Sequence, residues 1–325
     1  MAEQELAAPT QQEDLVHSFA APSGFKLTQP GAGPCFAARS AGLYRSDDNG
    51  VTWNNAYTSL KLDEALPTMA VVLSPDFRRD GEIFTGVPGG VLHSSDGGRM
   101  WQVITFHSPP PAIAALVISP NYVEDGILLA GTVEDGVFRS DDHGRRWSSW
   151  NFGLLDLNIL CLVISPDFQE DETIFAGTEN GIFRSINGGR AWKEVNLPAG
   201  YDPVLSLAIS PRFMKDGRIF AGTETKGVLV SEDQGETWTR LAETEITGPV
   251  NAIFLSPAFP DRPHLLILQG GQLMISLTGG QSWSAWQAKE PVAEDITAVF
   301  TPNGFEPPAP VLVGLMGGDI RLLTQ

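Results

Sequence analysis

The sequence predicts an all-β fold, a seven-bladed β-propeller of four-stranded antiparallel blades, and three observations carry that prediction. A tryptophan closes a polar turn at Trp53, Trp101, Trp147, Trp192, Trp238 and Trp283, at steps of 48, 46, 45, 46 and 45 residues. A proline ends an apolar run at Pro75, Pro120, Pro166, Pro211, Pro257 and Pro302, at steps of 45 or 46. Within each period lie four short β-prone runs bounded by Gly, Asp and Pro, which is the content of one propeller blade.

Residues 114–150 show one unit in full. The run 114–120 (AALVISP) is strand a, and 127–132 (ILLAGT) is strand b after a turn. Glu134, Asp135 and Gly136 form a hairpin turn into strand c at 137–140 (VFRS). A second polar turn, 141–144, leads to Trp147 and strand d. β-branched and aromatic residues between glycine- and aspartate-rich turns favour such a meander over helices.

The ends of the chain set the blade count. The last period runs 296–300, 311–314 and 319–322 and stops before a fourth strand. At the other end, residues 25–30 (FKLTQP) keep the register, because Pro30 precedes Pro75 by 45 residues. They are predicted to form strand a of blade 1. Residues 15–19 (LVHSF) are then left over and are predicted to supply the missing outer strand of the last blade. Seven blades of roughly 46 residues account for the 325 present, and such closure would remove two exposed sheet edges. Residues 1–14 are expected to be a flexible acidic segment, and 15–325 a single propeller domain.

Composition narrows the functional classes. Hydrophobic residues make up 42% and charged residues 18%, a globular balance. The net charge of −18 repels phosphate backbones and anionic lipid, which argues against nucleic-acid binding and favours a basic partner or cationic ligand. No apolar run approaches the ~20 residues of a membrane span, and no basic, then apolar leader opens the sequence. A cytoplasmic monomer is expected, or a secreted one if a leader precedes these residues. Cys35 and Cys161 are the two cysteines, too few for a disulfide framework, and Cys161 lies in an apolar run as a small hydrophobe.

The turn before each tryptophan follows Ser-x-Asp-x-Gly-x-x-Trp. It is complete at Ser46, Asp48, Gly50 and Trp53, and at Ser94, Asp96, Gly98 and Trp101. It recurs at Ser140, Asp142, Gly144 and Trp147, and at Ser231, Asp233, Gly235 and Trp238. Asn187 and Thr278 replace the aspartate in two further copies. In these residues the sequence resembles the BNR/Asp-box repeat family, over nearly its whole length. That family includes sialidases, xyloglucanases, sortilin-type receptor domains and photosystem II assembly factors, so the resemblance implies the fold and leaves the function open.

The box has a local physical role: a short carboxylate accepts turn N–H groups, glycine supplies positive φ, and tryptophan covers the turn. Calcium prefers 6–8 oxygens, which no single box offers, so no metal is expected. Asp80, Asp125, Asp171, Asp216 and Asp261, and the strand-c residues Arg45, Arg139, Arg184, Arg321 and His93, also recur by blade. They are read as structural.

In a four-stranded meander the boxes share one face with the a–b turns, while b–c turns and d–a connections share the other. Irregular loops on a rigid scaffold carry binding. The candidate binding residues are therefore Glu134, Asp135, Glu179, Asn180, Glu224 and Lys226 in turns, with Phe106, His107, Phe152, Asp156, Tyr201 and Asp202 in connections. No catalytic residues and no cofactor are assigned. The resemblance to sialidases would require an arginine triad, a tyrosine nucleophile and a Phe-Arg-Ile-Pro segment, and that segment is absent. Glycoside hydrolysis needs two opposed carboxylates, for which Asp63, Asp156, Asp202 and Glu243 are positional candidates. Zinc clusters, phosphate loops and nucleophile elbows are missing. The expectation is a non-enzymatic scaffold that binds a protein partner or small ligand, with a carbohydrate-active protein as the alternative.

Overall fold

Seven antiparallel sheets follow one another along the chain, each in simple a-b-c-d order except the last. The computed structural model describes residues 14–29, 31–106, 109–198 and 200–325. The innermost strands are Val16–Ala20, Ala70–Leu73, Ala112–Ile118, Ile159–Ile164, Val204–Ile209, Val250–Leu255 and Ile296–Phe300. Burial follows position within the blade. Second strands such as Ile174–Thr178 and Ile219–Thr223 are buried at every residue, because a neighbouring blade covers each of their faces. Fourth strands such as Ser148–Ser149 are exposed. Apolar clusters fill the spaces between successive blades and form the core.

The box turns hold themselves together. Ser46 Oγ donates to Asp48 Oδ1 at 2.8 Å and accepts Gly50 N–H at 2.8 Å, while Asp48 Oδ1 accepts Thr52 N–H at 2.8 Å. The same pattern recurs at Ser94/Asp96, Ser140/Asp142 and Ser231/Asp233, and Asn187 reproduces it with its amide oxygen. The tryptophans divide: Trp53, Trp147, Trp238 and Trp283 donate from Nε1 to the glycine carbonyl of their own box, whereas Trp101 Nε1 donates to Ala56 O and Trp192 Nε1 to Trp150 O, both in the preceding blade.

On the same face, short helices Phe77–Asp80, Tyr122–Asp125, Phe168–Asp171 and Phe213–Asp216 fill the a–b turns. Asp80, Asp125, Asp171 and Asp216 each accept the hydroxyl of the serine six residues earlier, at 2.5–2.6 Å. Asp261 departs from this group and pairs with Arg212 across the blade boundary. The strand-c arginines also reach the next blade: Arg45 donates to Gly97 O at 2.7 Å, and Arg184 pairs with Glu236. Cys35 and Cys161 are free thiols, and burial pushes both up to about 12.

Two predictions about the ends are corrected. Val16–Ala20 pairs with Cys35–Arg39 and is strand a of blade 1, so it does not complete the last blade. Ile296–Phe300, Val311–Leu315 and Ile320–Leu323 form a last sheet that has three strands among the described residues. Residues 25–29 are not a strand; they are a turn segment that buries Phe25 and Leu27 beside Leu312 of the last blade. Pro30, and residues 1–13 of the predicted N-terminal segment, lie outside the described residues.

Packing joins the last blade to the first by the rule used elsewhere in the ring. In strand b of successive blades, a β-carbon on Gly86 would lie 2.6 Å from Ile113 Cγ2, and one on Gly131 would lie 2.5 Å from Ile159 Cγ2. Gly314 faces Val16 in the same way, with Val16 Cγ2 only 2.7 Å from the position a β-carbon would take. The box glycine Gly50 takes Leu312 as Gly98 takes Phe36 of the preceding blade. Asn303 adds a clamp: its amide donates to Phe25 O at 2.9 Å and accepts Leu27 N–H at 3.2 Å.

Candidate functional site

Backbone hydrogen bonds sort the loops by face. Box turns bond to a–b turns, as in Gly97 N–H to Gly81 O at 3.0 Å and His143 N–H to Gly126 O at 3.1 Å. On the opposite side, b–c turns bond to d–a connections, as in Gly136 N–H to Leu157 O at 2.9 Å. The described candidate residues come from the turns and connections of this second set, the loop face, with Phe152 at its outer margin, where its carbonyl accepts the N–H of Trp192 at the end of a box turn.

The loop face is stitched by its own polar groups. Asn158 Oδ1 accepts Glu134 N–H at 2.9 Å, tying the turn of blade 3 to the connection into blade 4. Asp156 Oδ2 accepts the backbone N–H of Asn180 at 3.0 Å and its side-chain amide at 2.8 Å. Asp202 repeats the device one blade on, accepting Thr225 N–H at 2.9 Å and Lys226 N–H at 3.0 Å. Burial pushes both carboxyls up, but the donated hydrogen bonds outweigh it and hold each below the usual carboxylate range. Both carboxylates are therefore ionised and committed to turn geometry at neutral pH, unlike a general acid, which must carry a proton there.

The aromatic candidates divide. Phe106 is half-buried and packs on Trp147, ring centroids 5.1 Å apart, and on Phe138 at 4.9 Å. Phe152 is 80% exposed and Tyr201 74% exposed. Glu134, Glu179, Asn180 and Glu224 are exposed, while Asp135 and Lys226 are half-buried. His107 lies outside the described residues. Asp63 and Glu243 are exposed on connections of their own.

The sequence places Val133 and Leu155 in the binding loops without singling them out and omits Leu157; all three stand out to solvent beside these residues. Leu154 is buried and Leu155 is 79% exposed. Two adjacent leucines in a turn give no periodicity by which to tell them apart.

Several clefts open on the surface of the described residues, three of them of similar size. One of about 450 Å³ on the loop face is lined by Tyr57, Lys61, Asp63 and Glu64. Another of about 430 Å³ lies between Trp286, Val292 and Leu323. The third, about 440 Å³ on the box face, contains Arg45, Arg78, Arg79 and Arg99. Each of those guanidinium groups already has a partner in the fold: Asp47, Ala32 O, Asp76 and Asp96 O respectively. Among the described residues no group of His, Cys, Asp and Glu is arranged to hold a metal ion, and no helix is long and apolar enough to cross a membrane.

Charge is divided between the faces. Glu172, Glu232, Glu236 and Asp261 on the box face pair with Arg190, Arg218, Arg184 and Arg212. On the loop face, Asp63, Glu64, Glu134, Glu179, Glu224, Glu243, Glu245, Glu290 and Asp295 share their loops with few cations, chiefly Lys61, Lys226 and Lys289. Acids are thus plentiful on both faces, and it is the arginine partners that are fewer on the loop face.

No protein-family model matches the chain, and no curated relative does. Solved structures do. The extracellular domain of a one-component system from B. thetaiotaomicron aligns over 96% of this chain at 14% identity and a TM-score of 0.70. A GH74 enzyme from Niastella koreensis aligns over 95% at 16% identity and a TM-score of 0.70. YCF48 bound to D1 peptide aligns over 95% at 19% identity and a TM-score of 0.66. The likeness is one of fold. The chain spans 38% of the first structure, 52% of the second and 93% of the third.

Proposed function

We propose that the chain is a non-enzymatic binding or assembly scaffold, a propeller of the BNR/Asp-box kind that holds a protein segment against its loop face. The observation that carries this reading is the division of labour among loop-face side chains. Asp156 and Asp202, two of the four positional candidates for hydrolysis, hold neighbouring turns, while Phe152 and Tyr201 project into solvent on a face whose Glu134, Glu179 and Glu224 have no ion pair among the described residues. The likeness to a propeller solved with a peptide bound supports the reading at the level of fold.

Charge reversal on one face tests it. Glu134→Lys, Glu179→Lys and Glu224→Lys together are expected to abolish co-purification of a partner that native protein retains. Glu124→Lys with Glu170→Lys on the box face is expected to leave it intact. Equal retention by both sets would contradict the reading.

A glycan-cleaving or glycan-binding protein is the second reading, favoured by the likeness to a GH74 enzyme and by exposed rings of the type that stack on sugars. A glycan screen decides it. Hydrolysis abolished by Asp156→Asn or Asp202→Asn, with the unfolding midpoint retained, would establish this reading in place of the first.

A further inference from the structure

We infer that Val133, Phe152, Leu155, Leu157 and Tyr201 form a docking patch for a partner segment that carries an aliphatic or aromatic anchor flanked by lysines or arginines. This rests on the scaffold reading and names the chemistry of its partner.

The patch lies on loops that adjoin one another. Its side chains are 47%, 80%, 79%, 38% and 74% exposed, in the order named. The loops that bear them are joined in series. Gly136 N–H bonds to Leu157 O beside the Val133 turn, and Asp156 holds Asn180. Asn180 and Tyr201 in turn line one cavity of about 130 Å³ with Leu197. Phe152 is fixed at the outer end, where its carbonyl accepts Trp192 N–H at 2.8 Å. The backbone beneath these apolar groups is therefore ordered before any partner arrives, which lowers the entropic cost of binding. The exposed apolar residues of the opposite face, Val51, Met100, Val123, Ile186, Met214 and Leu277, fall one to a blade in box turns or a–b helices. Singly exposed residues of that kind are ordinary.

Charge identifies the occupant. Glu134, Glu179 and Glu224 are exposed on the three turns beside the patch and, among the described residues, belong to no ion pair, whereas Glu172, Glu232 and Glu236 on the box face are each matched by an arginine. An apolar centre with an acidic rim selects an apolar anchor with basic flanks: the anchor supplies the desolvated contact, and the rim supplies orientation and association rate.

The probe is a set of short synthetic peptides with a Leu or Phe anchor between Lys and Arg residues. Two matched sets have Glu in place of the basic residues, or Ser in place of the anchor. Binding is read by fluorescence anisotropy against the full chain. The basic, anchored set is expected to bind, to weaken as salt is raised, and to lose about tenfold or more in affinity with Phe152→Ser plus Leu155→Ser. Both side chains are exposed, so the unfolding midpoint should hold. Binding that ignores this double substitution, or equal binding of the acidic set, would overturn the patch. If neutral or acidic peptides bind and respond to loop-face changes elsewhere, the patch fails while the scaffold reading survives. If no peptide set binds and glycans do, both fail.

Discussion

Gly314 in the last blade packs directly on Val16 in the first, leaving no space for a β-carbon between them. The same contact joins Gly86 to Ile113 and Gly131 to Ile159 inside the ring. The seam between the chain's two ends is thus an ordinary blade interface. Gly314→Val is expected to overpack it and lower stability by about 1–3 kcal/mol. Gly248→Ala, where the nearest atom is 3.5 Å away, is expected to change little. Equal midpoints in urea would contradict the seam.

Asn303 is the polar half of that seam. Its amide satisfies Leu27 N–H and Phe25 O, two backbone groups beside buried side chains. Asn303→Ala is expected to cost about 1–3 kcal/mol by leaving them unpaired. Because both sites serve one interface, the double substitution with Gly314→Val is expected to be non-additive. A cycle of urea midpoints checks this.

The seam also marks what the sequence could and could not reveal. Boxes and strands b and c were legible because six copies of Ser-x-Asp-x-Gly-x-x-Trp, or its decayed form, repeat one local chemistry. Strand a of blade 1 was misplaced because the first period is longer than the rest. Most of the excess lies between Val16–Ala20 and Cys35–Arg39, which are 14 residues apart where Ala70–Leu73 and Ile83–Val87 are 9 apart, and a smaller part lies in the connection from Asn55 to Ala70, which holds the turn Thr58–Leu60. Counting 45 residues back from Pro75 therefore lands at Pro30, past the true strand, and Phe25 and Leu27 mimic a strand while packing as a loop. At the candidate site, acidity was legible in composition, but the hydrogen bonds that commit Asp156 and Asp202 depend on a neighbouring turn 23–24 residues away.

The box aspartates couple stability to acid. Hydrogen bonds from Thr52 lower Asp48 to about 2, and those from Thr237 do the same for Asp233. A carboxyl lower in the folded than in the unfolded chain stabilises above its unfolded value, and that contribution is lost as pH falls toward the folded one. Stability is expected to drop between about pH 4 and pH 2, with a shallower slope in Asp48→Asn plus Asp233→Asn. Both groups are exposed, so the effect is screened and modest. Identical slopes in denaturation midpoint against pH would refute it.

One box position favours glycine on geometry alone. Gln234 has φ of 61°, and Gly97, Gly188 and Gly279 occupy the same place in other boxes, also at positive φ. Gln234→Gly is expected to stabilise by about 0.5–1 kcal/mol, the relief of left-handed strain less the added unfolded-state entropy. A lowered melting temperature would contradict this.

Which face meets a partner is tested most directly by site-specific photo-crosslinking. A crosslinker is placed at Phe152 or Tyr201 on the loop face, and at Val51 or Met100 on the box face, all prominently exposed. Adducts to one discrete protein from the loop-face positions alone are expected. Adducts from the box-face positions, with none from Phe152 or Tyr201, would contradict docking on the loop face.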